Sequence, residues 1–156
     1  MTDNEKLIDG FYSAFAKGDY RTMQSSYAGN ATFSDAAFVD LDSDQVKAMW
    51  EMLCKNGKDF QLTYSNVKAT PQGASADWIA TYTFSKTGNK VTNHVHADFV
   101  IENGKIVSHR DQFDFYTWAK QAFGITGVLL GWTGFFKNKV QTTARENLDK
   151  FMTRTL

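Results

Sequence analysis

Apolar positions along this chain change their period once. Up to about residue 57 they recur at helical spacing, with Leu7, Ile8, Phe11 and Phe15 on one stripe after a "TDNE" capping box (2–5). Gly18 stops that helix, and Asp19 starts a second on which Tyr20, Met23 and Tyr27 share a face. "ATFSD" (31–35) reads as a short strand. "SDQVKAMWEMLCKNG" (43–57) reads as a third helix, with Ser43 or Asp44 as cap, a Val46, Met49, Trp50 and Leu53 stripe, and Gly57 as stop. Beyond it the pattern alternates. Strands are expected near 60–69, 75–86, 90–101 and 105–116, separated by "TPQG", "KTGN" and "ENGK". Turns this short join antiparallel neighbours. Helical spacing returns over 117–124 and again from about Lys137 to Arg154. There Val140, Ala144, Leu148 and Phe151 form a face suited to docking on the body or on a second subunit. The order α-α-β-α-β-β-β-β-α implies an α+β fold, one curved antiparallel sheet with helices gathered on one face. A single domain, 1–156, is expected, its core spanning about 5–121 and a C-terminal helical extension about 122–156.

Alternation also says which side chains face inward. In "ENGKIVSHRDQFDF" (102–115) a two-residue Asn103-Gly104 turn would pair Glu102 with Lys105. A three-residue loop with Gly104 left-handed would pair Ile101 with Lys105. The two choices place opposite faces together. Val91, Val95, Ala97, Phe99 and Ile101 are all odd-numbered, as are Val107, Phe113 and Phe115, and only the three-residue loop puts both sets on one side. That loop is therefore expected. It sets Asp111 opposite Val95, Phe113 opposite Asn93 and Arg110 opposite His96. His109 and Asp111 then face inward, with Trp78, Ala80, Tyr82 and Phe84 of the preceding strand. His94, His96, Asp98, Arg110 and Asp114 face out.

Composition narrows the function. Thirteen Phe, six Tyr and four Trp in 156 residues are more rings than flat packing hides, so an aromatic-lined pocket or an oligomer interface is expected. Lys+Arg and Asp+Glu balance at 17 each and no stretch concentrates one sign, which argues against a nucleic-acid or acidic-membrane partner. Cys54 is the one cysteine, so neither an intrachain disulfide nor a cysteine-rich zinc site is expected. The polar, acidic "MTDNEKLIDG" resembles neither a signal nor a transit peptide. "GITGVLLGWTGFF" (124–136) is too short and too Gly-interrupted to span a bilayer. It suits a pocket lid, a membrane-touching patch or a dimer surface, of which lid or dimer is expected. A cytoplasmic protein without a membrane partner follows as the expectation.

The chemistry centres on His109 and Asp111. A carboxylate on an apolar strand face lined by Trp78, Tyr82, Phe113 and Trp118 loses hydration, which moves its pKa toward the range useful for proton transfer. A bland alternative is a buried polar pair satisfied by its neighbours. Tyr12, Tyr27, Trp50 and Asn93 are further candidate contributors to the pocket, although helical spacing favours core packing for several of them. "HVHAD" (94–98) carries two His on one strand face, but Arg110 opposite His96 discourages a cation, and no metal is expected. Ion pairs among Asp98, Arg110 and Asp114 are expected there instead. No Gly-rich phosphate loop follows a strand, so no cofactor is expected.

Two segments, "FYSAFAKGDYRTMQSSYAGNATFSD" (11–35) and "ADFVIENGKIVSHRDQFDFYTWAKQ" (97–121), resemble the SnoaL-like, nuclear-transport-factor-2-like superfamily. Its members include ketosteroid isomerases, limonene epoxide hydrolases, polyketide cyclases and scytalone dehydratases. The resemblance implies a cone-shaped α+β fold with a pocket in its mouth. "GKI…RDQFD" is most similar to the epoxide-hydrolase branch, and Asp111 matches the first Asp of that motif, an acid/base residue there. Phe33 and Asp35 fall where that branch has a Tyr and an Asn that hold the attacking water. Its Arg and Asp of the preceding strand are replaced here by Trp78 and Ala80, which argues against limonene-type epoxide hydrolysis. Asp35, if it reaches the pocket, would form a two-carboxylate arrangement with Asp111; a simple turn role for Asp35 is the alternative. Fold alone does not select a reaction. The expectation is a small apolar or aromatic ligand in the cone, handled by a cofactor-free acid/base enzyme or held by a non-catalytic module, in a homodimer.

Overall fold

The computed structural model describes residues 1–154. Helix α1 (Asp3–Ala16) starts at the expected capping box: the Thr2 hydroxyl accepts from the Glu5 amide at 3.1 Å, and the Glu5 carboxylate accepts from the Thr2 amide at 2.8 Å. Asp19 caps the short α2 (Tyr20–Ser25), which ends before Tyr27. Tyr27 instead opens strand β1 (Tyr27–Ser34), longer than its sequence pattern indicates. Helix α3 (Ser43–Asn56) is capped by Asp42, not Ser43 or Asp44, in a second capping box with Gln45. The expected strands follow as β2 (Gln61–Ala69), β3 (Gly73–Thr83), β4 (Lys90–Glu102) and β5 (Lys105–Gln112).

The strands form one sheet of order β1-β5-β4-β3-β2. Neighbours from β2 to β5 are antiparallel, as their short turns require. The edge strand β1 runs parallel to β5, reached through the long excursion of α3 and the other strands. The inner face packs on α1 and α3 around Phe11, Tyr12, Phe15, Phe33, Trp50, Trp78 and Phe99, so most of the aromatic surplus fills the cone itself. A second cluster, Val91, Phe115, Trp118, Ala119, Ala122 and Phe136, closes the mouth beneath α4 (Phe115–Phe123). The chain continues through α5 (Ile125–Leu130) into α6 (Gly134–Arg154). Leu148 of α6 is fully buried in the main core, so this helix docks on its own body against α3.

The hairpin between β4 and β5 corrects the expected loop. Asn103 (φ 51°) and Gly104 (φ 73°) form a two-residue turn with left-handed backbone at both centres, and Glu102 pairs with Lys105. Ile101 faces Ile106, but Val100 faces Ser108, which leaves Val107 as an extra, bulged residue. The bulge reverses the parity that the turn alone would give. Inward placement of His109 and Asp111 therefore stands, for a different reason and in a different register. Asp111 lies opposite Ala97, not Val95, and Arg110 opposite Asp98, not His96. Strand β5 stops at Gln112 rather than 116, so Phe113 has no partner across from Asn93. Asp114 accepts from the Thr117 amide at 3.1 Å as the cap of α4.

Candidate active site

His109 and Asp111 project from β5 into the cone, with side chains 0% and 2% exposed. The His109 Nε2 lies 2.7 Å from Asp111 Oδ1, and its Nδ1 lies 2.8 Å from the Tyr27 hydroxyl. That hydroxyl in turn receives the Trp50 indole N–H at 2.8 Å. Proton counting orders the chain. Indole only donates, so Tyr27 accepts from Trp50; a carboxylate only accepts, so in a neutral imidazole Nε2 carries the proton and Nδ1 accepts from the Tyr27 hydroxyl. The hydrogen-bonded line Trp50→Tyr27→His109→Asp111 thus links α3, β1 and β5. Rings enclose it: Phe99 stands 4.2 Å and Phe33 4.9 Å from the imidazole, centroid to centroid, with Phe11 at 5.9 Å. Apolar walls of this kind strengthen each bond and hold the imidazole in one tautomer. Burial pushes the Tyr27 hydroxyl's pKa well above its usual value, so it remains a proton donor.

Asp35 sits just past the end of β1. Its Oδ1 accepts from the Ala37 and Phe38 amides at 2.7 and 2.6 Å, which is the turn role. Protein surrounds this carboxyl on nearly every side, yet part of the residue stays open to water. Lost hydration, reinforced by the Asp111 charge and resisted by the two amides, raises its pKa from 3.8 to about 7. The same carboxylate helps raise the pKa of Tyr82, whose hydroxyl is chiefly desolvated and accepts the Trp118 indole N–H at 2.8 Å.

The expected site residues therefore fall into two groups. Tyr27, Trp50 and Phe33 join His109 and Asp111 in the deep network, where Tyr27 and Trp50 stand behind the imidazole as its support. Tyr82, Phe113 and Trp118 belong to the mouth, where Tyr82 and Phe113 touch both clusters. Asp35 is coupled to both groups through its charge. Asn93 is half-buried on the inner face beside Ala80. Two groups carry a signal that helical or strand spacing could not: the Tyr12 hydroxyl and the Trp78 indole nitrogen are fully buried with no hydrogen-bond partner among the described residues. The Tyr12 and Trp78 rings lie 6.1 Å apart, and the Asp111 charge contributes, after burial, to a Tyr12 pKa well above the usual value. Orphaned polar atoms at this depth are rare and call for a partner.

On the outer face His96 Nδ1 lies 2.6 Å from Asp77 Oδ1 and its Nε2 3.3 Å from Asp98 Oδ1. The Asp77 hydrogen bond leads in raising the His96 pKa above 6.5. Among the described residues neither Asp98 nor Asp114 pairs with Arg110, contrary to expectation, and no cluster of three or more His, Cys, Asp or Glu is placed to hold a metal ion. Two grooves, of about 570 and 390 Å³, run over this face, the larger past Asp77, His94, His96 and Gln112.

The model of the SnoaL-like domain matches residues 8–109. The chain belongs to the SnoaL-like domain family. As a SnoaL-like protein it shares its fold with solved structures of low sequence identity. An NTF2-like protein of unknown function from Burkholderia pseudomallei is 16% identical, with a TM-score of 0.69 over 80% of this chain and 100% of that one. An epoxide hydrolase of limonene-epoxide-hydrolase-like type from M. tuberculosis is 15% identical (TM-score 0.64, 81% and 92%). IdmH from Streptomyces antibioticus, described as a candidate polyketide cyclase, is 21% identical (TM-score 0.63, 76% and 96%). No curated protein matches the sequence. The family match ends two residues before Asp111, so it includes His109 and not the carboxylate beside it.

Proposed function

We propose that this SnoaL-like protein is a cofactor-free acid/base enzyme acting on a small apolar or aromatic molecule that enters the cone by displacing rings that fill it in this structure. The observation that carries the reading is a pair of carboxyls in unlike settings. Asp111 is held by the buried His109–Tyr27–Trp50 line, while Asp35 is pushed up to about 7 at a position water still reaches. Carboxyls in surroundings this different can divide the roles of base and acid. Asp111 takes the proton from the substrate, with His109 donating to its Oδ1 and fixing its orientation. Asp35, half-protonated near neutral pH, returns a proton on the mouth side. The unpartnered Tyr12 hydroxyl and Trp78 indole N–H supply donors for a substrate oxygen that gains negative charge. Isomerisation, cyclisation and dehydration each fit this set of groups. The aromatic walls account for an apolar substrate, and the lack of the Arg/Asp pair, replaced by Trp78 and Ala80, disfavours epoxide opening of the limonene type.

One observation favours a second reading, a non-catalytic ligand-binding module: the dyad is closed to solvent, and both imidazole nitrogens are satisfied by protein. Mass spectrometry of co-purified small molecules, followed by turnover assays on the molecule found, separates the two. The enzyme reading requires Asp111→Asn to keep binding within a few-fold and lose at least about a hundredfold in turnover. Unchanged turnover in that variant, or a ligand bound without turnover by the native protein, gives the second reading.

A further inference from the structure

Helix α5 and the start of α6 are built inside out. Between residues 124 and 135 the buried positions are Gly127 and Gly131, and the large apolar side chains are exposed. Gly127 and Gly131 lie against α4 so closely that a Cβ on Gly127 would collide with the Ala119 carbonyl, and one on Gly131 with the Gly127 carbonyl and the Ala119 side chain. With that face taken by glycine, the others turn outward: Ile125 is 79% exposed, Leu129 63%, Trp132 73% and Phe135 77%, joined by Val128 and Leu130. The segment is held firmly in this pose. The Tyr116 hydroxyl donates to the Val128 carbonyl at 2.9 Å, and the Trp132 indole to the Leu129 carbonyl at 3.0 Å. Thr133 donates to the Leu130 carbonyl and accepts from the Phe136 amide. A lid would point these side chains toward the mouth. Here only Phe136 does so, through the mouth cluster.

Six large apolar side chains in one short exposed stretch mark an interaction surface. Its charge selects the occupant. Residues 115–145 include Lys120, Lys137, Lys139 and Arg145 and no acidic residue, in a chain of zero net charge. The flanking acids are Asp114, which caps the far end of α4, and Glu146, ten residues beyond Phe136 along α6. A second copy docked through the same patch would set its lysines against these, because a two-fold interface brings a surface onto itself. An anionic lipid surface satisfies both features: apolar and aromatic side chains enter the acyl boundary while lysines meet the headgroups. We propose that α5 and the first turn of α6 form a peripheral docking surface for anionic membrane lipids. The inference replaces the sequence-based expectation of a lid or dimer, and of no membrane partner, and it is independent of the chemistry inside the cone. No described helix is long and apolar enough to cross a membrane, so the contact is interfacial.

Vesicle flotation tests the inference on the full chain, comparing phosphatidylcholine containing one quarter phosphatidylglycerol with phosphatidylcholine alone. The native protein is expected to float with the anionic vesicles and not with the neutral ones, and to be released by molar salt. Trp132→Ser with Phe135→Ser, both at exposed positions, should abolish flotation while leaving the circular dichroism spectrum unchanged. Lys137→Gln with Lys139→Gln should weaken it by about tenfold or more. Absence of native flotation overturns the proposal, as does equal flotation by both variants. So does sedimentation showing a native dimer that the Trp132/Phe135 variant turns into monomer, which would make the patch an interface between copies.

Discussion

The molecule holds two histidine–aspartate contacts of nearly equal length on opposite faces of one sheet. Inside, His109 meets Asp111 at 2.7 Å with both side chains sealed from water. Outside, His96 meets Asp77 at 2.6 Å with the imidazole side chain 47% and the carboxylate 43% exposed. Distance does not separate them; surroundings do. The inner pair has aromatic rings for a medium and Tyr27 and Trp50 to complete its hydrogen bonds, so removal of one member strands the others. The outer pair is bathed in water that replaces any lost partner. One contact can therefore be chemical machinery while the other is a solvated surface.

The largest expected difference comes from deleting each imidazole. His109→Ala strands Tyr27 and Asp111 and opens a cavity, and should cost about 3–5 kcal/mol in urea unfolding. Equal costs for His109→Ala and His96→Ala would break the contrast. A smaller effect tests the inner line one bond further back. Tyr27→Phe removes the hydroxyl between Trp50 and His109 and should cost about 1–3 kcal/mol, because a buried N–H and a ring nitrogen are left without partners. A cost near zero would mean that the line contributes nothing to stability.

Next comes a pH effect at the mouth. Asp35 has a folded pKa of about 7 against 3.8, so the native state keeps a proton that the unfolded chain has lost between those values. Stability should fall as pH rises through that window and level off above it. Thermal unfolding of Asp35→Asn, which preserves the acceptor for the Ala37 and Phe38 amides, should lose this slope. An identical slope in the variant would remove Asp35 as the titrating acid. The smallest effect belongs to the outer pair. His96→Ala should cost about 0–1 kcal/mol, fully expressed below pH 6.5 and fading as pH rises through the raised folded pKa of His96.

Much of this contrast is legible in the sequence alone. Alternating apolar residues on β4 assign Val95, Ala97 and Phe99 to one side and His94, His96 and Asp98 to the other, and the structure agrees at each position. The capping box of α1, Asp19 as the cap of α2 and the stop at Gly57 were readable because caps are local chemistry. Asp114 reads from sequence as a strand residue but caps α4, since a carboxylate followed three positions later by Thr117 fits a strand face as well as a helix start.

By itself, the sequence determined the α+β order and the inward direction of His109 and Asp111, because a period of two admits only two faces and burial chooses one. Only the tertiary structure decided how that direction is reached. The Asn103-Gly104 turn favours the opposite parity, and the bulge at Val107 cancels it; a bulge exists only as a mismatch between two strands, so neither strand's pattern records it. Likewise Tyr27 and His109 stand 82 positions apart in sequence and one hydrogen bond apart in space. The line that ends on Asp111 forms only when β1 pairs with β5 and α3 closes over both.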